Sequence, residues 1–353
     1  MLTVIFGAGA SYDSSPDYPA MGLKRVLDDN RLPLAKNLFS ERFGKQAQQN
    51  EAALALIPRL RTAVNIEQEL EAIIDSQQTY PPVFRQLLSI RYYIRDVIQR
   101  AQIEWKENYT HNVTSYHQFL DTVDRARYPT RVKEKIALIT FNYDTLLDIA
   151  FSAVLREPLK TIDAYIKNET AYKIFKPHGS VDWLHEVTNA GKNTLDSAEK
   201  LEWTKNYAKG SIKYIEVADN KAFIQTEGEG IFVPLDHDYV PAIAIPTETK
   251  KTFEFPDEHR DEMIATIKET TSLLIIGWRG AEQHFLELYE TNADPTKLKL
   301  LQIVSTNPKS ASQIEQTLAK GGITCSSVRY SYKGFSEFVT QDLKSFLIEA
   351  SHY

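Results

Sequence analysis

The chain has 353 residues, 42% of them hydrophobic and 25% charged, with 41 Lys and Arg against 47 Asp and Glu and a formal net charge of -6. That is globular composition, enough for one large α/β domain or two of moderate size, and it lacks the basic excess that nucleic acid or an anionic membrane surface would require. A single cysteine, Cys325, excludes an intramolecular disulfide and a four-cysteine zinc site.

The opening MLTVIFGAGAS has no basic n-region and too short an apolar run for a secretion signal. No stretch approaches the roughly 18 apolar residues of a membrane span. The expected location is cytoplasmic.

Leu2–Phe6 (LTVIF) reads as a buried strand that ends abruptly at Gly7-Ala8-Gly9. Helical spacing runs from Met21 to about Asp29. From about Glu51 to Tyr128 the pattern is mainly helical. Asn65 is placed to cap a helix, with Gln68 three residues on as its capping-box partner. Pro81 and Pro82 suit the first turn of a long helix over Val83–Asn108, where Leu87, Ile90, Ile94, Val97, Ile98 and Trp105 recur at helical intervals. Tyr116–Arg127 predicts another helix.

Ile136–Phe141 (IALITF) is a second buried-strand signal. It leads into Asn142-Tyr143-Asp144 and a helix through Leu146, Leu147, Ile149 and Ala150. An extended segment near Lys173–Pro177 ends at His178-Gly179-Ser180. Between about Asp182 and Pro241, the runs SIKYIEV and KAFIQTEGEGIFVPL read as strands of an antiparallel insertion. A helix over Asp257–Thr270 then precedes a strand at Leu273–Ile276 and Gly277. Lys299–Val304 predicts a strand ending at Ser305-Thr306-Asn307, followed by a helix over Ala311–Lys320. A short strand around Cys325–Tyr330 and an amphipathic helix over Phe335–Glu349 are the last predicted elements.

Apolar strands alternating with helices predict an α/β fold, a Rossmann-like parallel sheet flanked by helices. The expected division is one catalytic unit over residues 1–353. Its core is about 1–30, 130–182 and 257–353, with a helical insertion at about 31–129 and a smaller, partly β insertion at about 183–256.

Gly7-Ala8-Gly9-Ala10-Ser11 at a strand end suits either a phosphate cradle or a tight turn that binds nothing. It is not the dehydrogenase fingerprint, which needs glycine where Tyr12 stands, so hydride transfer is disfavoured. Asn142 and Asp144 suit either a site or the cap of the next helix. His178, between Pro177 and Gly179, suits either a turn or an acid–base role. Asp236-His237-Asp238 reads as a solvated turn, and no P-loop, HExxH or serine elbow is present.

Taken together and in order, FGAGAS (Phe6–Ser11), TFNYDTL (Thr140–Leu146) and KPHGS (Lys176–Ser180) resemble the sirtuin superfamily, specifically its bacterial, zinc-free branch of NAD-consuming defence proteins. The resemblance implies catalytic roles for Asn142 and His178 and a supporting role for Asp144. It implies NAD contacts at Gly7, Ala8, Gly9, Ala10, Ser11, Thr140, Phe141, Gly277, Trp278, Ser305, Thr306 and Asn307. Arg279 and Glu282, in WRGAEQHF, depart from the aromatic-Ser-x-x-Asp pattern usual in this branch.

The activity implied by the resemblance is NAD hydrolysis to nicotinamide and ADP-ribose, with NAD as substrate, no metal, and NAD depletion in antiphage defence. A homo-oligomer, or a partner such as a HerA-like ATPase or an Argonaute-like protein, would gate the activity. Neither direct nucleic-acid nor membrane contact is expected. A protein deacylase, an ADP-ribosyl transferase and a non-catalytic NAD or ADP-ribose sensor are the alternatives. Chemically, nicotinamide leaves as a neutral ring from a cationic one, so no carboxylic acid is needed to protonate it. An imidazole to move a proton and a neutral amide to orient a hydroxyl suit what remains.

Overall fold

The computed structural model describes residues 1–14, 31–75, 81–107, 112–127, 135–167, 170–186, 213–214, 239–247 and 253–353. Its strands, in chain order, are β1 (Leu2–Phe6), β2 (Ile136–Thr140), β3 (Tyr172–Phe175), β4 (Gly179–Glu186), β5 (Lys213–Tyr214), β6 (Tyr239–Ile243), β7 (Ser272–Ile276), β8 (Leu300–Val304) and β9 (Val328–Ser331). Every residue of β1, β2, β7 and β8 is buried. Strands covered on both faces need no polar alternation, which is why they stand out as continuous apolar runs.

These strands form a six-stranded sheet in the order β3-β2-β1-β7-β8-β9, and every pairing in it is parallel. Counted along the sheet's own strands, the order is 3-2-1-4-5-6, the Rossmann-like arrangement. The chain winds outward in one direction from β1 and in the other from β7, so a crevice opens at the carboxyl ends where these two neighbours part. Register brings the ends level. Phe6 pairs with Thr140 and with Ile276, and Ile276 pairs with Val304. The residues that follow, Gly7, Phe141, Gly277 and Ser305, therefore leave the sheet side by side.

Helices Ser115–Arg127, Leu146–Leu155, Asp257–Glu269, Gln283–Asn292 and Pro308–Lys320 cover the sheet and share its core. The predicted final helix is two, Phe335–Gln341 and Leu343–Ala350. They part at Asp342, whose carboxylate accepts from Ser331 Oγ on β9 at 2.6 Å. The last strand also begins later than predicted, at Val328.

A second apolar cluster lies beside the first. It is built from Leu38–Ala101 and includes Val181 of β4 and Ile243 of β6. The helix Pro81–Trp105 joins the two clusters, giving Ile90, Ile94 and Val97 to the second and Trp105 to the first. Asn65 caps the helix Ile66–Asp75, accepting from Glu67 N at 3.0 Å. β4, β5 and β6 form a three-stranded antiparallel sheet. The predicted Met21–Asp29 helix, the Asp236–Asp238 turn and most of the strands expected over 211–235 lie outside the described residues. Among those described, no helix is long and apolar enough to cross a membrane.

Candidate active site

The turns after β1 and β7 are in contact. Gly7 N donates to Ile276 O at 3.0 Å, and Gly9 N donates to Gly277 O at 3.0 Å. Gly277 has φ +61°, and a Cβ there would lie 2.3 Å from Ala10 N. The glycines thus serve first to let two loops touch. The amides of Gly7, Gly9 and Ala10 are all engaged within the protein. What the turn offers a ligand is a small-residue surface rather than a row of open amides.

Asn142 follows β2 and is buried, with 5% of its surface exposed. Its backbone N donates to Thr140 Oγ1 at 3.2 Å. Its side-chain Nδ2 donates to Ser11 Oγ at 2.9 Å and to Tyr116 OH at 3.2 Å. Oδ1 is buried with no hydrogen-bond partner among the described residues. A buried acceptor left unmatched costs about 1–3 kcal/mol, so this oxygen is a place where a donor from a ligand would bind favourably.

His178 reaches the same place from the turn after β3. Its Nδ1 lies 3.2 Å from Phe141 O. A carbonyl only accepts, so this contact puts a proton on Nδ1 and makes Nε2 the basic nitrogen of the neutral ring. The ring packs against Phe141 (centroids 4.9 Å apart) and stacks on Tyr143 (6.0 Å) and His284 (6.1 Å). Phe141 stacks on Trp278 from β7's loop, with centroids 5.2 Å apart and planes at 10°. Gly179 makes the turn possible: at φ +75°, a Cβ would lie 1.7 Å from Ala242 O.

Beneath these loops is a buried charged cluster. Lys176 is fully buried and donates to Asp144 O at 2.8 Å and Asp148 Oδ2 at 2.9 Å. Tyr165 OH bonds the other oxygen of Asp148. Asp144 Oδ1 accepts from Leu146 N at 3.1 Å, so this residue does hold the start of the next helix. Burial raises the Asp144 carboxyl above the usual carboxylate range, and the Ser11 hydroxyl and the Lys176 charge offset part of that.

The loops after β1, β2, β3 and β7 open on one cleft of about 680 Å³, within the range of small-molecule and cofactor pockets. Gly7, Ala8, Gly9, Ser11, Phe141, Asn142, Asp144, His178, Gly277, Trp278, Ser305 and Thr306 all line it. Ala10, Thr140 and Asn307 do not. Ala10 is buried beneath Gly277, Thr140 anchors the Asn142 backbone, and Asn307 caps the helix Pro308–Lys320, accepting from Ser310 N at 2.9 Å.

Several participants were not singled out from sequence. Tyr116 bonds both Ser11 and Asn142. Asp13, Arg31 and Lys333 line the cleft. Asp13 accepts from Ser336 N at 3.3 Å and lies 3.6 Å from Arg31, so the start of the helix Phe335–Gln341 already holds a carboxylate of the chain. Burial raises the Asp13 carboxyl too. Its position two residues after the glycine turn was a signal; nothing comparable marked Tyr116. No cluster of three or more His, Cys, Asp or Glu suited to a metal occurs among the described residues.

No protein-family model matches the chain, and no curated protein matches its sequence. Among solved structures, it is similar to a mutant Sir2 homologue in complex with 2'-O-acetyl ADP-ribose, at 10% identity and TM-score 0.37, covering 99% of this chain and 92% of that one. Two further mutant Sir2 homologues, each an ADP-ribose complex, match at 11% identity and TM-score 0.36, covering 99% of this chain and 93% and 92% of theirs. Likeness at this level says nothing of what the cleft binds. The chemistry has to come from its own side chains.

Proposed function

We propose that the cleft binds NAD and hydrolyses its nicotinamide–ribosyl bond, giving nicotinamide, ADP-ribose and a proton. The observation that carries this is the unmatched, buried Oδ1 of Asn142 in the same cleft as the His178 ring. Such an acceptor calls for an O–H or N–H donor from whatever binds, and a ribose hydroxyl or a held water supplies one. The crevice of a Rossmann-ordered sheet suits a dinucleotide, and the resemblance of the FGAGAS, TFNYDTL and KPHGS segments to sirtuins agrees with that substrate.

The division of labour rests on the residue types. Asn142 accepts from the attacking water and so fixes its lone pairs toward the sugar carbon. His178 Nε2 takes the proton that this group loses as its bond to that carbon forms. The C–N bond breaks with its electron pair going to the pyridinium ring, which departs neutral. Asp144, tied to the helix start and close to Lys176, supports the loop rather than moving a proton.

Incubating the purified chain with NAD and quantifying the products tests this. Nicotinamide and ADP-ribose should appear in equal amounts, with no NAD-dependent loss of acetyl from a lysine peptide and no label transferred from NAD to protein. NAD bound and recovered intact would refute hydrolysis. Deacetylation or protein labelling would move the site to another reaction.

A further inference from the structure

We infer that Tyr116 is a positioning residue for the reaction proposed above: with Ser11, its buried phenol holds the Asn142 amide by Nδ2, so that Oδ1 is the end of the amide left to accept from a ligand. The inference rests on that reading for its catalytic consequence, but the orientation can be tested without it.

The available protons decide the orientation. Ser11 Oγ meets Asn142 Nδ2 at 2.9 Å, Tyr116 OH at 3.0 Å and the Asp144 carboxyl. When the Asp144 carboxyl is ionised it can only accept, and the single Ser11 proton then goes to it. The two lone pairs of Ser11 Oγ then receive one N–H of Asn142 and the O–H of Tyr116. With its proton committed, Tyr116 offers a lone pair to Asn142 Nδ2 at 3.2 Å, on the same side as Ser11.

Turning the amide over would set Oδ1 against two hydroxyls, one of which has already given its proton to Asp144. The present orientation is therefore the better satisfied. It leaves Oδ1 without a partner among the described residues, as observed.

Tyr116 suits the task because it is immobile and stays protonated. It is fully buried, and its ring meets Phe6 and Phe335 edge-on with centroids 5.2 and 5.1 Å away. Burial and the nearby Asp144 charge hold its phenol well above the usual tyrosine range. Phenylalanine would keep this packing and remove only the oxygen.

The test uses the full chain, with asparagine labelled selectively with nitrogen-15. The Asn142 side-chain signal is identified by its absence from Asn142→Ala. Both of its amide protons should exchange with water far more slowly than those of exposed asparagines, and Tyr116→Phe should release at least one of them. In nicotinamide release, Tyr116→Phe should lower kcat about tenfold or more and leave KM within about twofold, as loss of orientation does. A wild-type amide that exchanges as freely as exposed ones overturns the inference. So does a Tyr116→Phe variant that leaves that exchange, or kcat, unchanged. If the wild-type chain releases no nicotinamide, the proposed reaction fails, and the exchange measurement decides the orientation by itself.

Discussion

The Nδ1 of His178 lies 3.2 Å from the carbonyl oxygen of Phe141. That contact joins the turn after β3 to the loop after β2. It aims the imidazole from a backbone atom one residue before Asn142, so the distance between the two candidate catalytic side chains is set by main chain rather than by flexible groups. The expected consequences extend from this junction to the loops and charges that hold it.

Gly277 keeps the β1 and β7 turns in contact. Gly277→Ala puts a methyl 2.3 Å from Ala10 N at a φ of +61°. It should destabilise the protein by about 2 kcal/mol or more, since strained backbone alone costs of order 1–3 kcal/mol. Gly44 is the control: it begins a helix with nothing within 4 Å of its virtual Cβ. Gly44→Ala should be neutral or stabilise by roughly 0.4–1 kcal/mol. Denaturant melts of both variants check the contrast, and equal effects would count against the loop-contact role.

Lys176 neutralises a buried carboxylate. Lys176→Met removes the cation that lies 2.9 Å from Asp148 Oδ2 and should cost about 3–5 kcal/mol. Adding Asp148→Asn should recover part of that loss, because one of the buried carboxyls beside Lys176 is neutralised while Asp144 and Asp182 remain. A double variant as unstable as Lys176→Met would show that the Asp148 charge is not what the lysine offsets. Either outcome is read from urea midpoints.

His259 makes stability fall in acid. It is fully buried, its Nε2 contacts Ile162 O at 3.0 Å, and its Nδ1 has no partner among the described residues. Burial depresses its pKa from 6.5 to about 4. The unfolded chain therefore takes up a proton between about pH 6.5 and pH 4 that the folded chain refuses, and stability decreases as pH drops through that window. At pH 4.5 the loss from this residue is on the order of 2 kcal/mol relative to pH 7. The raised carboxyls of Asp13 and Asp144 act in the opposite sense. Comparing the wild type with His259→Gln isolates the histidine: the variant should lose less stability over the same pH drop, and an identical slope would contradict the assignment.

Much of this fold was legible because its central strands are buried on both faces. LTVIF, IALIT, SLLII and LLQIV carry little polar interruption, and each ends where a glycine, an aromatic residue or a serine begins a loop. The gathering of Gly9, Asn142 and His178 at one cleft comes from level strand ends, which no local pattern reveals. The segment resemblance anticipated it by order alone.

Other features were hidden for identifiable reasons. A glycine that lets loops touch and one that admits a phosphate look alike in a string of letters, so the role of Gly7 and Gly9 was open. Asn307 before Pro308 was a readable helix start, capping residue then proline, and the structure uses it so. The break at Asp342 escaped notice because apolar spacing runs through it. Tyr116 looked like any core aromatic of its helix. Only the fold brings its hydroxyl to Asn142, 26 positions later in the chain.

The most direct measurement is single-turnover release of nicotinamide at saturating NAD by the wild type, Asn142→Ala and His178→Ala, with NAD binding to each measured by calorimetry. The expected result is that both variants still bind NAD but release nicotinamide about a hundredfold or more slowly, the scale of removing a positioned proton acceptor or orienting group. Wild-type rates from both folded variants would contradict the assignment of this cleft to NAD hydrolysis by these two side chains.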